Sequence, residues 1–456
     1  MSALLDSFAS AFDALPGRDA AGLGASRRDA LAAALRDGMP GTRSERWKYT
    51  PLRAFERRTF TAADAQPAIL DGALLAGIPT PRLVFVNGRY DPAHSDAAGL
   101  PPGVALQPLS QLLAQGSERE VNFLARRYER PDEVFARLNA ALADEGVVLR
   151  AEAGVRSALP IHLVFVGTAA GRDLASHSRH LFELRPDAEL TLVEHHLAGA
   201  ANTHLANSIA HVHLAAGARL THLRVQDEAP GASLISRTDA VLARDAIYRR
   251  LDLELGGALA RHEFNASLQG EGAQVIANGV LLADGKRHLD MRLGIDHVAR
   301  DTRCDLLWRG LGSGRSKAAF HGGITIREGA DGSVAALSNK NLLLSAGAEI
   351  DTQPVLEIHA DEVQAAHGAA VGQLDATSMF YLRSRGIPEP QARALLTAAF
   401  CRETLNVIED APLRESLASK LDAALARLEP AQLGPAQLGP AQLGPAQSEP
   451  AQSEPA

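Results

Sequence analysis

Asp187-Ala188-Glu189-Leu190, Gly217-Ala218-Arg219-Leu220, Asp245-Ala246-Ile247-Tyr248 and Gly272-Ala273-Gln274-Val275 share one pattern: a turn-forming Asp or Gly, an alanine, then a return to apolar strand. Their spacings are 30, 28 and 27 residues. After a gap the unit returns as Gly347-Ala348-Glu349-Ile350. Between units, alternation such as His211-Val212-His213-Leu214 fits strands with one buried face. Strands at a nearly fixed period, with no helical pattern between them, predict a stacked β-solenoid. A β-sandwich would alternate in the same way but has no reason to hold the turn period. The expected fold is mainly β, with a parallel β-helix over 146–374 flanked by helical domains.

Outward from this core, residues 1–145 read as mainly helical. Leu4, Leu5, Phe8, Phe12 and Leu15 recur at helical spacing, and a second helix over Ser26–Asp37 is closed by Gly38. Trp47, within Ser44–Pro51, is expected to anchor these helices to the next element. Arg82–Val86 is a β-rich run ending in an Asn87-Gly88 turn, and Phe135–Leu142 is a short amphipathic helix. Beyond the solenoid, 375–428 turns helical. Asp375 is an N-cap, Met379, Phe380 and Leu382 begin an apolar face, Gly386 stops the helix and Pro388 follows. A second helix begins at Gln391, and a third spans about 412–428. In 429–456 a proline recurs every fifth residue, which forbids regular helix and offers no core, so disorder is expected there.

Composition removes several function classes. A net charge of −8, a pI near 6.1 and the lack of a Lys/Arg block argue against nucleic acid or an anionic membrane as the main partner. Two cysteines, Cys304 and Cys401, form no CxxC pair, which disfavours a disulfide framework or closed zinc site and suits a reducing cytoplasm. Asp6 and Asp13 interrupt the apolar N-terminus, which does not read as a signal peptide. No stretch approaches the roughly 20 apolar residues of a membrane span.

No catalytic constellation emerges. Gly310, Gly312 and Gly314 suggest a phosphate-cradling loop, but no GxxxxGK[ST] accompanies them, and a plain solenoid loop is the simpler reading. His211 and His213 would share a strand face as a metal pair does, yet no acidic residue follows over 214–220. A secreted β-helix carbohydrate enzyme would show aromatic platforms and clustered carboxylates, which are missing. The balance favours a non-catalytic scaffold.

The decisive segment is Leu356-Glu357-Ile358-His359-Ala360-Asp361-Glu362-Val363-Gln364-Ala365-Ala366-His367-Gly368-Ala369-Ala370-Val371-Gly372-Gln373-Leu374-Asp375. With Asn339–Ser345 before it and Met379–Ile387 after it, it resembles the hallmark of the SufB/SufD family of iron–sulfur cluster assembly proteins. Trp47-Lys48-Tyr49-Thr50 is typical of the cysteine-poor branch rather than of SufB, although a SufB-like, cluster-holding paralogue is the alternative. The resemblance implies a central right-handed parallel β-helix between helical domains. It also implies partnership with SufB through β-helix edges and with the ABC-type ATPase SufC through the C-terminal helices. Phe380, Tyr381, Arg383, Arg385 and Gly386 are the candidate SufC contacts, and His367 is a candidate ligand for iron or a nascent cluster at the SufB interface. Many relatives carry Cys where this chain has Ala365, so no cluster is expected to be held stably by this chain alone. A homodimer preceding the heteromeric complex is left open.

Overall fold

The computed structural model describes residues 2–41, 43–116 and 118–428; the proline-rich tail, 429–456, lies outside them. From Val147 to Gly372 the chain runs through sixteen strands that alternate between two parallel sheets. One sheet holds Val147–Ala151, Leu174–Leu184, Leu205–Leu214, Ser233–Leu242, Leu259–Leu268, His288–His297, Lys317–Ile326 and Glu349–Ile358. The other holds Ile161–Gly167, Glu189–Ala198, Arg219–Asp227, Ile247–Glu254, Gln274–Ala283, Arg303–Gly312, Val334–Leu343 and Gln364–Gly372. Two strands per coil make a parallel β-solenoid of eight coils. Arg219 lies opposite Glu189 on one side and Ile247 on the other, so the sequence period is the coil length.

The turn residues explain that period. Asp187, Gly217, Asp245, Gly272, Asp301 and Gly332 all have positive φ, between 55° and 74°, and each precedes a strand of the second sheet by two residues. The amides of five of them, all but Gly272, stack on the coil that follows, as in Asp187 N–H to Ala216 O at 3.0 Å and Gly217 N–H to Arg244 O at 2.9 Å. Asp tolerates the left-handed region, and its side chain then lies over the next turn. A Cβ on Gly217, Gly272 or Gly332 would fall well inside contact distance of the Asp carboxylate of the preceding coil. Hence the alternation of Asp and Gly. The gap seen in sequence is filled by Asp301-Thr302 and Gly332-Ser333, where a hydroxyl residue replaces alanine. Gly347 is not the same corner: it precedes Glu349–Ile358, a strand of the first sheet. Gly310 and Gly312, expected in a loop, lie inside the strand Arg303–Gly312, and only Gly314 occupies the turn, with φ 67°. Gly310 leaves room for the Asn341 side chain one coil on.

The two sheets enclose an apolar core that includes Leu163, Phe182, Leu220, Phe264, Leu306 and Phe320. Helices cover both outer faces. Helix Ala3–Asp13 buries Leu4, Leu5, Phe8 and Phe12, and with Trp47, Phe55 and Phe135 these pack on Ala175, Leu205 and Ile235 of the first sheet. Trp47 is the expected anchor: its indole N–H donates to Asp132 O at 2.9 Å, and Arg261 stacks 4.0 Å from its ring centre. Helix Gly24–Asp37 ends at Gly38, with φ 71°. Arg82–Val86 joins the second sheet, and Asn87-Gly88, both at positive φ, fold Arg89–Tyr90 back as a hairpin. Helices Glu389–Arg402 and Ala411–Ala426 bury Cys401, Leu417 and Leu421 against Val193, Leu223, Leu251 and Val280 of the second sheet. No helix among the described residues is long and apolar enough to cross a membrane.

Candidate functional site

The two ends of the solenoid are treated differently. At the first coil, Val104–Pro108 pairs antiparallel with Val147–Ala151, and Arg82–Val86 flanks Ile161–Gly167. At the last coil nothing follows. Glu349–Ile358 pairs only with Lys317–Ile326, and Gln364–Gly372 only with Val334–Leu343, among the described residues. No side chain of these two strands is fully buried, and Ile358 and Val371 are 45% and 41% exposed.

Backbone parity shows which groups this edge offers. In a parallel ladder, alternate residues point both N–H and C=O to the same neighbour. Gln364 N–H donates inward to Ser333 O at 3.0 Å and Glu349 N–H to Ser316 O at 3.0 Å. Ala365, His367, Ala369 and Val371 therefore present their amides to the open side, as do Ile350, Thr352, Leu356 and Ile358. Pro354 falls in the same outward row, where the missing N–H leaves no gap in the internal ladder.

His367 sits opposite Leu337 in a column that continues through Leu306, Ala277, Arg250 and His222, all buried residues facing the solenoid interior. It is exposed because no ninth coil covers it. Its imidazole has no hydrogen-bond partner among the described residues, and these contain no cluster of three metal-ligating side chains. One imidazole can supply a single ligand; other donors must come from elsewhere. Cys304 does not help. It lies two strands behind Ala365 in the neighbouring inward column, fully buried, 3.3 Å from His297 Nε2. Burial pushes its thiol up to about 12, and burial does the same to Cys401, packed beneath the C-terminal helices. Both stay protonated.

Three residues beyond the last strand, Asp375 caps helix Ala376–Ser384, its carboxylate accepting from Ser378 N–H at 2.7 Å. The helix closes at Gly386, φ 86°, with Gly386 N–H to Arg383 O at 3.0 Å and Ile387 N–H to Leu382 O at 3.2 Å. This helix buries none of its side chains. Phe380 and Tyr381 are 73% and 54% exposed, Arg385 lies 4.5 Å from the Tyr381 ring centre, and Arg383 meets Glu389 at 3.5 Å. Leu395 on the next helix is also exposed. The candidate contact residues thus form one aromatic and cationic surface, while His367 belongs to the solenoid mouth.

Of the two candidate histidines, His211 is structural, while His213 is exposed on the same strand. His211 is buried between the guanidiniums of Arg126, at 3.1 Å, and Arg179, at 3.2 Å, and burial holds it well below the usual imidazole range. His195 shares a 3.0 Å contact with His162. An interior ionic cluster went unread in the sequence. Arg250 grips Asp252 through two bonds of 2.7 and 2.8 Å, His222 meets Glu194 at 3.0 Å and Tyr248 Oη at 2.8 Å, and Arg224 pairs with Glu254. Arg250 and Asp252 are two positions apart on one strand, but the other partners lie 26 to 30 positions apart and are joined by coil stacking.

Comparison with known proteins agrees with this architecture. A family model described as the SufBD core domain of the SUF iron–sulfur assembly system matches residues 165–400, and one for the SufBD N-terminal region matches 1–163. The iron–sulfur cluster assembly protein SufD of Escherichia coli is 32% identical over 403 residues, covering 87% of this chain and 91% of its own. A SufBD family protein of Synechocystis is 29% identical, covering 83% of this chain and 86% of its own. SufD of Bacillus subtilis is 26% identical over 67% of this chain and 71% of its own. The chain belongs to the SufBD family of iron–sulfur cluster assembly proteins and is SufD-like within it.

Proposed function

We propose that this chain is a non-catalytic scaffold subunit of a cytoplasmic cluster-assembly complex. Its open solenoid end receives a SufB-like paralogue, and its C-terminal helices dock a SufC-like ATPase. The uncapped last coil carries this reading. A solenoid needs a cap or a partner at each end, because a bare terminal coil leaves apolar side chains and a row of amides facing water. Among the described residues, this chain caps one end only. A second solenoid of the same family, presenting a matching edge, would extend both sheets. ATP hydrolysis would come from the docked subunit, since this chain has no Walker-type loop. Iron or the nascent cluster is cargo at the seam, where His367 would add one imidazole to thiolates supplied by the partner.

Co-purification of the tagged chain from cells tests the assembly. A SufB-like and a SufC-like protein should come with it, and their absence refutes the proposal. His367→Ala should lower the cluster or iron content of the purified complex while leaving subunit stoichiometry unchanged. Unaltered content would return His367 to a structural role.

A further inference from the structure

The outer face of the first sheet carries a groove of about 560 Å³ that the cluster-assembly reading does not use. Three rows of side chains form it. One bank is the register row Arg237, Glu263, Arg292 and His321. The floor is the neighbouring row, in which Asn265 is followed by Gly294 and Gly323, and two side-chain-free positions on adjacent strands open a trough. The far bank holds Asp296, already engaged by Arg327 at 2.6 and 2.7 Å. Arg46, Arg126 and Arg130, from the segment before the solenoid, close one side and make the site concave.

Charge in the groove is unbalanced: six arginines stand against four carboxylates, Glu263 of the bank included. Most arginines are spoken for. Arg46 meets Glu263, Arg237 meets Glu133 at 2.6 Å, and Arg126 reaches Asp239 at 3.3 Å. Arg292 is not. Its guanidinium is half-buried beside Arg261 and makes no hydrogen bond or ion pair among the described residues, although the Asp290 and Glu263 carboxylates favour its charge. Burial together with Arg261 holds Arg292 down to about 10, so it stays charged at neutral pH. A half-buried cation with no partner in the chain is open to an acceptor supplied from outside it.

We propose that this groove binds a small phosphorylated molecule, its phosphate accepting from Arg292 and its organic body lying in the Gly294–Gly323 trough. The volume falls in the range of small-molecule sites, and a guanidinium fork matches phosphate oxygens two at a time. An excess of two cations suits a diphosphate better than a single carboxylate. The groove runs up to Val355 and Glu357 of the open edge strand and lies away from the C-terminal helices.

Calorimetric titration of the purified full chain with pyrophosphate, ADP and citrate at equal ionic strength tests the assignment. Pyrophosphate and ADP should each bind one per chain, ADP the more tightly, and citrate more weakly than either. Arg292→Gln should weaken both phosphate ligands at least tenfold, and Gly323→Val, whose Cβ would meet His321 at 3.2 Å, should weaken ADP more than pyrophosphate. Thermal midpoints verify that each variant folds; if Arg292→Gln does not, Gly323→Val decides. No binding, equal binding by citrate, or affinities unmoved by the folded variants would overturn the proposal.

Discussion

Two neighbouring prolines should behave in opposite ways. Ala369 and Ala370 are both exposed alanines in the terminal strand, but parity sends the Ala370 amide into the internal ladder and the Ala369 amide to the open edge. Ala370→Pro should therefore break a bond within the chain and leave a carbonyl on Val334–Leu343 unpaired, costing about 1–3 kcal/mol of stability. Ala369→Pro breaks nothing internal. Edge strands accept proline, as Pro354 shows in the companion strand, so its stability should stay within about 1 kcal/mol of the parent. In a complex that extends the sheet, however, it removes one edge donor and strands the partner's carbonyl, a loss of about 1–3 kcal/mol. At about 1.4 kcal/mol per tenfold, affinity for the SufB-like partner should fall roughly 5- to 100-fold. Urea unfolding measures the first quantity, and surface-immobilised titration with the purified partner the second. If Ala369→Pro binds like the parent, or if both prolines destabilise the isolated chain equally, the reasoning from edge geometry is refuted.

Other consequences follow from the same structure. Gly272→Ala places a Cβ at φ 72° against the Asp245 carboxylate, whereas Gly285→Ala, at φ 64°, points into open space. The second should cost only the left-handed penalty of about 1–2 kcal/mol in urea unfolding, and the first measurably more; equal losses would deny the Asp–Gly stacking rule. Burial holds His162, His180 and His297 down to about 4, while imidazoles of the unfolded chain titrate near 6.5. The unfolded state thus takes up protons first as pH falls, so stability is intact above about pH 6.5 and drains away toward pH 4. Urea midpoints should drop between about pH 7.5 and pH 5, and a flat profile would contradict this. Phe380→Asp with Tyr381→Ala should abolish recovery of the SufC-like subunit with little change in thermal midpoint, because neither ring is buried; retention of that subunit would move its docking surface elsewhere.

Much of the architecture was legible because it is local or periodic. The Asp187, Gly217, Asp245 and Gly272 turns mark the coil length, the Asn87-Gly88 hairpin and the Gly386 cap are set by backbone conformations few residues adopt, Asp375 caps its helix through its own carboxylate, and Leu4 to Phe12 show their buried face by spacing alone. Where the pattern used chemistry of another kind it was misread. Thr302 and Ser333 hid two turns because a hydroxyl stood where alanine was sought, and Gly347 mimicked the unit at a different corner. The glycines at 310 and 312 looked like a loop because nothing near them in sequence reveals the Asn341 side chain one coil away.

The sequence by itself determined the solenoid, its helical flanks and the family, since period, turn residues and motif are properties of short segments. Only the tertiary structure decided that, among the described residues, one end is capped and the other open, that His367 lies at that mouth, and that Arg292 is half-buried with no ion pair. Each of these depends on which strands lie side by side. In a solenoid such neighbours are about one coil, some 26 to 33 residues, apart, so their contacts are fixed by stacking and leave no local trace in the chain.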